Sequence, residues 1–387
     1  MSQVIGSLFA NYESTKLGVV HPELVNLAIL AIFAMLAVAT SRRTAAGSSC
    51  LLDVVQTEQI KGLAIFFVLL GHVWTHVSAT KASINLAHNS VAVFLLLSGF
   101  GLTMSNRRQR LSFGAFCLRR IRKVMVPYWI ATVIIIALDY ALLAKGLSLR
   151  SLVTTMVGIN LTEELRYIDH VRWFVTFILL WYLLFYLGGT VLTDKQNVVF
   201  LLSMAVLLSR VQRHYMDCGW YAFLSFPTGC VLAIYRDKFR SVFRERNMGC
   251  LVAAATGILL VLAYQCATGR GTTYTAVTQW LPSPALTCLR ECLGVVFAIS
   301  LIVLFGYLGQ QGIEIALLRV LGKYAYEILL LHGVFLIKYN PIMKSTDSCI
   351  LAAQFTVFCV FIAVLALTLS RVSALVSAEA GARTEVR

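Results

Sequence analysis

Lys61 and His72 are the residues of this chain whose types and spacing point most directly to chemistry. They bound the run Lys61-Gly62-Leu63-Ala64-Ile65-Phe66-Phe67-Val68-Leu69-Leu70-Gly71-His72, in which the residues between them are almost all apolar. On a helix rising ~1.5 Å per residue, His72 lies roughly 16 Å beyond Lys61. That is about half of a hydrocarbon core of ~30 Å. The basic residue would mark where the helix enters the membrane, and the imidazole would sit near the midplane. Ionisable groups at that depth are costly and are functional by default. An imidazole there can take a proton from a hydroxyl as a general base, or carry an acyl group covalently. The competing reading is a core histidine hydrogen-bonded to a neighbouring helix.

Other candidates fall into three sets. Glu327 and His332 lie in a late apolar segment that starts beside Lys323, with His332 expected near the midplane and Glu327 in the first turns. Glu327 or Asp139 could orient a histidine and stabilise its cation, although Asp139 is expected near the outer end, where water can reach it. Ser98, in Ser98-Gly99-Phe100-Gly101, is expected to serve close helix packing, with a nucleophile as the alternative. Arg119, Arg120 and Arg122, with Lys123 and ahead of Pro127, Tyr128 and Trp129, cluster guanidinium groups that suit phosphate oxygens. The same cluster also serves as a topology signal. His72 and His76 share a helix face, but no Glu follows the first histidine as zinc-protease chemistry needs, and no further ligands stand nearby, so no metal is expected. Trp173, Trp220, Tyr221, Tyr274 and Trp280 fall on the outer side. They could stack on sugar rings or form an interfacial belt.

The elements that must hold these groups are membrane helices. Of 387 residues, 59% are hydrophobic and 13% charged, against ~25% charged in soluble domains. No sizeable soluble domain is expected. The net charge of +15 belongs with cytoplasmic loops rather than nucleic acid, for which there is no motif. The expected fold is an all-α polytopic bundle. Eleven apolar segments stand out: about 23–40, 60–78, 88–105, 124–144, 171–192, 198–210, 218–235, 248–266, 291–309, 325–339 and 348–370. Segment 198–210 is the weakest of them. Most of the 33 basic residues fall on one side, in the loops around 106–123 and 236–246 and in the tail. The positive-inside rule then puts the N-terminus outside and the C-terminus inside. The first apolar run, from Leu24, lacks signal-peptide features and is expected to be retained. The ten cysteines include no CxxC pair, and Cys266, Cys288 and Cys292 could form a disulfide near one outer loop.

Taken in order, these motifs resemble the acyltransferase-3 family of integral membrane proteins, which O-acylate cell-surface glycans. Lys61 to His72 is similar to that family's Arg/Lys-x10-His signature. Val93 to Phe100 resembles its Ser-Gly-Phe helix. Arg119-Arg120-Ile121-Arg122 before Pro127 resembles its Arg-rich stretch, and Trp173-Phe174 with Tyr182 its Trp-Phe-Leu helix. Gly322 to His332 is similar to its late segment ending in Leu-Leu-His, with Ala325 and Leu329 departing from the pattern.

The resemblance covers about 55–370. It implies a ten-helix core over 55–371, preceded by an N-terminal segment 1–54 with one extra span and followed by a short cytoplasmic tail, 372–387. It implies transfer of an acyl group, most often acetyl, from cytoplasmic acetyl-CoA to a hydroxyl of an extracytoplasmic or lipid-linked glycan. Arg119, Arg120 and Arg122 would hold the CoA phosphates. His72 would be the base or acyl relay, with Lys61, Glu327 and His332 assisting. The setting implied is a bacterial inner membrane. With no SGNH-type domain expected, the bundle itself would handle the acceptor. The competing class is a proton-coupled transporter or flippase using the intramembrane His and Glu. The absence of internal repeats and the arginine-rich mouth argue against it.

Overall fold

The computed structural model describes residues 9–13, 15–44, 52–160, 171–215, 222–269 and 283–385. Trp220, Tyr221, Tyr274 and Trp280 lie outside them. The described residues form a helix bundle: α1 (Pro22–Ala39), α2 (Val54–His72), α3 (Ala87–Arg108), α4 (Phe113–Arg120), α5 (Val126–Leu143), α6 (Leu149–Val157), α7 (Trp173–Val191), α8 (Asp194–Tyr215), α9 (Ser225–Ile234), α10 (Arg236–Glu245), α11 (Asn247–Gly269), α12 (Ser283–Gln310), α13 (Ala316–Lys323), α14 (Ala325–Ile337) and α15 (Ser348–Glu385). A two-stranded ribbon, β1 (Ser41–Arg43) and β2 (Ile313–Ile315), pairs antiparallel with Arg42 opposite Glu314.

Among the described residues, eight helices are long and apolar enough to cross a membrane, or nine if α13 and α14 form one span. This is an integral membrane protein. Each of the eleven expected segments overlaps a helix among the described residues, but three are not straight crossings. α13 and α14 are bent by 76°, and α9 has ten residues, about half of what a crossing needs. α8 is long but carries Asp194, Lys195 and Arg210. α15 runs on to Glu385 without a break where the sequence suggests a separate tail.

Local chemistry explains why the bundle is tight where it matters. Asp53 caps α2, accepting from the Gln56 amide at 2.8 Å, and this supplies a partner for an otherwise orphaned donor. Two backbone crossings then fix α2 and α3. A Cβ on Gly62 would collide with the Leu318 carbonyl of α13, and one on Gly322 with the Glu58 carbonyl of α2. Gly99 of α3 and Gly229 of α9 face each other's helices in the same way, against Phe226 and Leu96. Small residues at such sites let membrane helices approach closely. The Ser98-Gly99-Phe100 segment therefore serves packing in this bundle.

The bundle has two chemically different ends. At one, Glu314 takes hydrogen bonds from Arg42 (2.6 Å) and Arg319 (3.1 Å), and Arg319 also reaches Glu58 (3.2 Å). At the other, the N-terminal segment folds over the helix ends. Ala10 bridges Asn340, Leu17 bridges Ser78, and the Tyr12 hydroxyl donates to the Met343 carbonyl. The three thiols Cys266, Cys288 and Cys292 are free and exposed. Cys288 and Cys292 stand one helical turn apart on α12 and hydrogen-bond each other as thiols, and Cys266 on α11 is not bonded to either.

Candidate active site

His72 is the last residue of α2, and the helix does not end there. Val73–Val77 continues it as a π turn, a wider turn that often marks functional positions. The turn brings His76 against His72, with ring centroids 5.3 Å apart. Across the bundle, α14 presents His332, which is fully buried. His72 Nδ1 and His332 Nε2 are 2.8 Å apart, and the rings lie nearly parallel at 19°.

The backbone decides the tautomers of this pair. His332 Nδ1 lies 3.0 Å from the carbonyl oxygens of both Ile328 and Leu329. Both are acceptors, so Nδ1 carries the proton. In a neutral pair His332 Nε2 is then an acceptor, and His72 Nδ1 must donate to it. The lone pair of His72 is left on Nε2. In this tautomer Nε2 is the ring nitrogen with base character.

His72 lines a cavity of about 450 Å³ at the end of the bundle covered by the N-terminal segment. Its walls come from five helices: the end of α2 and its π turn, the starts of α3, α7 and α12, and the end of α11. Trp173, expected from sequence as an outer aromatic, is part of this wall. Sequence reading missed His88, Asn89, Gln265 and Arg290, which also line it. Gln265 Nε2 donates to Asn89 Oδ1 at 3.1 Å, and Arg290 Nε to the Tyr264 hydroxyl at 3.1 Å. The available signal was polar residues inside apolar segments 88–105 and 248–266, and an arginine directly before segment 291–309.

The arginine cluster is built around a second π turn, Ile121–Met125, directly after Arg120. Arg120 stacks over the rings of Phe116 (5.5 Å) and Tyr182 (5.0 Å), and its buried Nε has no hydrogen-bond partner among the described residues. Arg120 and Arg110 line a cavity of about 230 Å³ with Ser105, Asn106 and Gln109. Arg119 and Arg122 are half-buried. Lys61 joins this end, within Coulombic reach of Lys123 and Glu58. The structure thus groups Lys61 with the arginine cluster, and His72 with His332.

Two acidic candidates lie elsewhere. Glu327 hydrogen-bonds Ser370 of α15, since a five-residue step turns it about 140° from His332 on the helix. Asp139 is buried (4% exposed) rather than solvated. Its oxygens take Lys338 Nζ at 3.1 Å and the Tyr339 hydroxyl at 2.5 Å. Among the described residues, no group of three or more His, Cys, Asp or Glu side chains could hold a metal ion.

The model of the acyltransferase domain family, acyltransferase 3, matches residues 55–371. The chain belongs to the acyltransferase-3 family. No curated protein and no solved structure matches it. This membrane acyltransferase therefore carries its histidine pair, its arginine cluster and both cavities largely within the family domain, with only the N-terminal cover contributed from outside it.

Proposed function

We propose that this acyltransferase moves an acyl group, most simply acetyl, from cytoplasmic acyl-CoA to a hydroxyl of an extracytoplasmic or lipid-linked glycan. The observation that carries this reading is the His72–His332 contact, whose tautomers leave a basic nitrogen on His72 beside a cavity large enough for a sugar. The acceptor hydroxyl attacks the thioester carbonyl while its proton passes to His72 Nε2. The carbon–sulfur bond breaks, the His72 imidazolium returns that proton to the departing sulfur, and CoA leaves as the thiol toward the basic end. His332 positions His72 and stabilises its cation through the Nδ1 hydrogen bond. This is the role a carboxylate plays in hydrolase triads.

Donor and acceptor approach from opposite ends. Arg110, Arg119, Arg120 and Arg122 would hold the CoA phosphates, since guanidinium groups bind phosphate oxygens in pairs. The unpartnered Nε of Arg120 beside the smaller cavity supports that assignment. Lys61, near Lys123, would add charge at the same mouth. Glu327 supports α14 through Ser370 rather than touching the histidines. The density of basic residues at this end supports a cytoplasmic orientation for it, with the cavity and N-terminus outside. A bacterial inner membrane fits that arrangement.

The test is transfer of label from acetyl-labelled acetyl-CoA to envelope glycans, in membranes carrying wild type or His72→Ala. Label incorporated by wild type and lost in a folded variant is the expected result. Equal incorporation by the two would remove His72 from the chemistry.

A further inference from the structure

The smaller cavity, of about 230 Å³, lies at the basic end between the last turns of α3 and α7 and the short helix α4. It shares no wall residue with the His72 cavity. One side of it is flat and aromatic. Phe116 and Tyr186 line it with ring centroids 4.9 Å apart, and the Arg120 guanidinium lies 5.5 Å over the Phe116 ring. The facing side is polar. Ser105, Asn106 and Gln109 follow Leu102 at steps of three and four, which puts them on one side of the chain as α3 ends. Among the described residues, the side chains of these three make no hydrogen bond. Gly189 keeps the floor open. A Cβ there would stand 4.0 Å from Asn106 Nδ2 and 3.4 Å from Asn197 Nδ2, in ordinary contact with both.

A phosphate needs donors alone. This wall also offers the carbonyl oxygens of two amides, which a phosphate cannot use. Aromatic and guanidinium planes on one side, with amide edges on the other, suit a heterocycle that stacks by its face and is read along its edge. A neutral base asks for no counter-charge in the wall. The cavity is large enough for one such ring and too small for a second cofactor beside it.

We infer that this cavity holds the adenine ring of the acyl-CoA donor, that Asn106 pairs with the amino edge of the base, and that Arg110 at the rim takes the neighbouring phosphate. An asparagine amide accepts from the adenine amino group and donates to the adjacent ring nitrogen. Asn106 is half-buried and faces Gly189 across the pocket, whereas Gln109 stands exposed at the rim. The inference rests on the CoA-dependent transferase reading and names what sets its donor specificity.

Full-length protein in lipid nanodiscs is titrated with CoA, with an analogue carrying unsubstituted purine in place of adenine, and with phosphopantetheine, which lacks the nucleoside. Acetyl transfer from labelled acetyl-CoA to envelope glycans is measured in parallel in membranes. A site built to bond an amino group rejects the analogue lacking it, so CoA should bind ~10-fold or more tightly than the purine analogue. Phosphopantetheine should bind more weakly still. Asn106→Ala should bring CoA and the purine analogue to equal affinity, and Asn106→Asp, which keeps an acceptor for the amino group, should restore part of the difference. Gly189→Ala, which the helix accommodates, should weaken CoA a few-fold and leave phosphopantetheine unchanged. Equal binding of all three ligands, with acetyl transfer intact, overturns the adenine pocket and leaves the transferase reading standing. Adenine preference without acetyl transfer does the reverse. A wild-type preference surviving in Asn106→Ala, or no binding of CoA at all, also overturns the inference.

Discussion

Two of the sets of ionisable side chains buried among the described residues have opposite designs. Asp139, Lys338 and Tyr339 form a closed set. Both carboxylate oxygens are taken, both charges are almost fully buried, and none of the three lines the His72 cavity. His72 and His332 form an open set. His332 is locked by two carbonyls, while His72 stands at the wall of a large cavity. Depth in the membrane is the same warning in both cases. What separates a structural charge from a chemical one is whether the group is sealed among protein atoms or lines a space where substrate can enter.

Mutation should pull the two sets apart. His72→Ala is expected to lower kcat by ~10²–10⁴-fold, the usual weight of a general base, with little change in thermal unfolding. Activity retained to within a few fold would put the open set on the same footing as the closed one. For the closed set the expectation is inverted. Asp139→Ala leaves Lys338 charged and buried, and should destabilise by about 3–5 kcal/mol, read as a lowered unfolding midpoint in detergent. Asp139→Ala with Lys338→Met should recover most of that loss, because an apolar pair of similar volume replaces a buried ion pair without great penalty. If the double variant is as unstable as the single one, Asp139 has a role beyond neutralising Lys338.

Helix spacing sharpens the comparison, since both sets depend on it. Gly229→Leu would push α9 from α3 at a carbonyl contact, and overpacking of this kind destabilises by about 1–3 kcal/mol. The expected signature is a lower midpoint, with loss of transfer following unfolding rather than preceding it.

The smallest effect belongs to the basic end. Burial alone would raise the Glu314 carboxyl, but hydrogen bonds and charge from Arg42 and Arg319 outweigh it and hold the group below its ordinary range. A lowered folded pKa stabilises fully above the unfolded value of ~4.3. That contribution is lost as pH falls through the folded pKa. Glu314→Gln should therefore reduce stability by about 1 kcal/mol or less at neutral pH. The gap between the variant and wild type should close on acidification below about pH 4. A gap that is constant with pH would mean the carboxylate charge is not what matters.

The all-α membrane architecture and the two histidines were legible in the sequence, for different reasons. Long apolar runs have few other fates, and an imidazole eleven steps inside one is rare enough to stand out. The pairing of His72 with His332 was not legible, because it depends on the crossing of α2 and α13 at Gly62 and Gly322. Asp139 was misplaced as solvated for a similar reason, since its partner Lys338 lies at the end of a segment far along the chain. His88 and Gln265 looked like isolated polar residues in separate spans, and Arg290 like a flanking charge before another. Only the convergence of five helix ends makes them one wall. Glu327 was readable as buried but not as turned away from the histidines, and hydropathy carries no trace of the π turns.

Those turns have a consequence for the history of the chain. A π turn carries about one residue more than the α turn it replaces, and each residue adds about 100° of rotation. Deleting one residue within 73–77 would restore a regular helix, and in doing so would swing His76 and Thr75 off the cavity wall and displace the anchor at Ser78. The same holds at 121–125, where a deletion would turn Arg120 away from Tyr182 while leaving Pro127 in place. Length at these two positions is therefore held as tightly as residue identity is elsewhere. Insertions and deletions in relatives should collect in the loops and spare both turns.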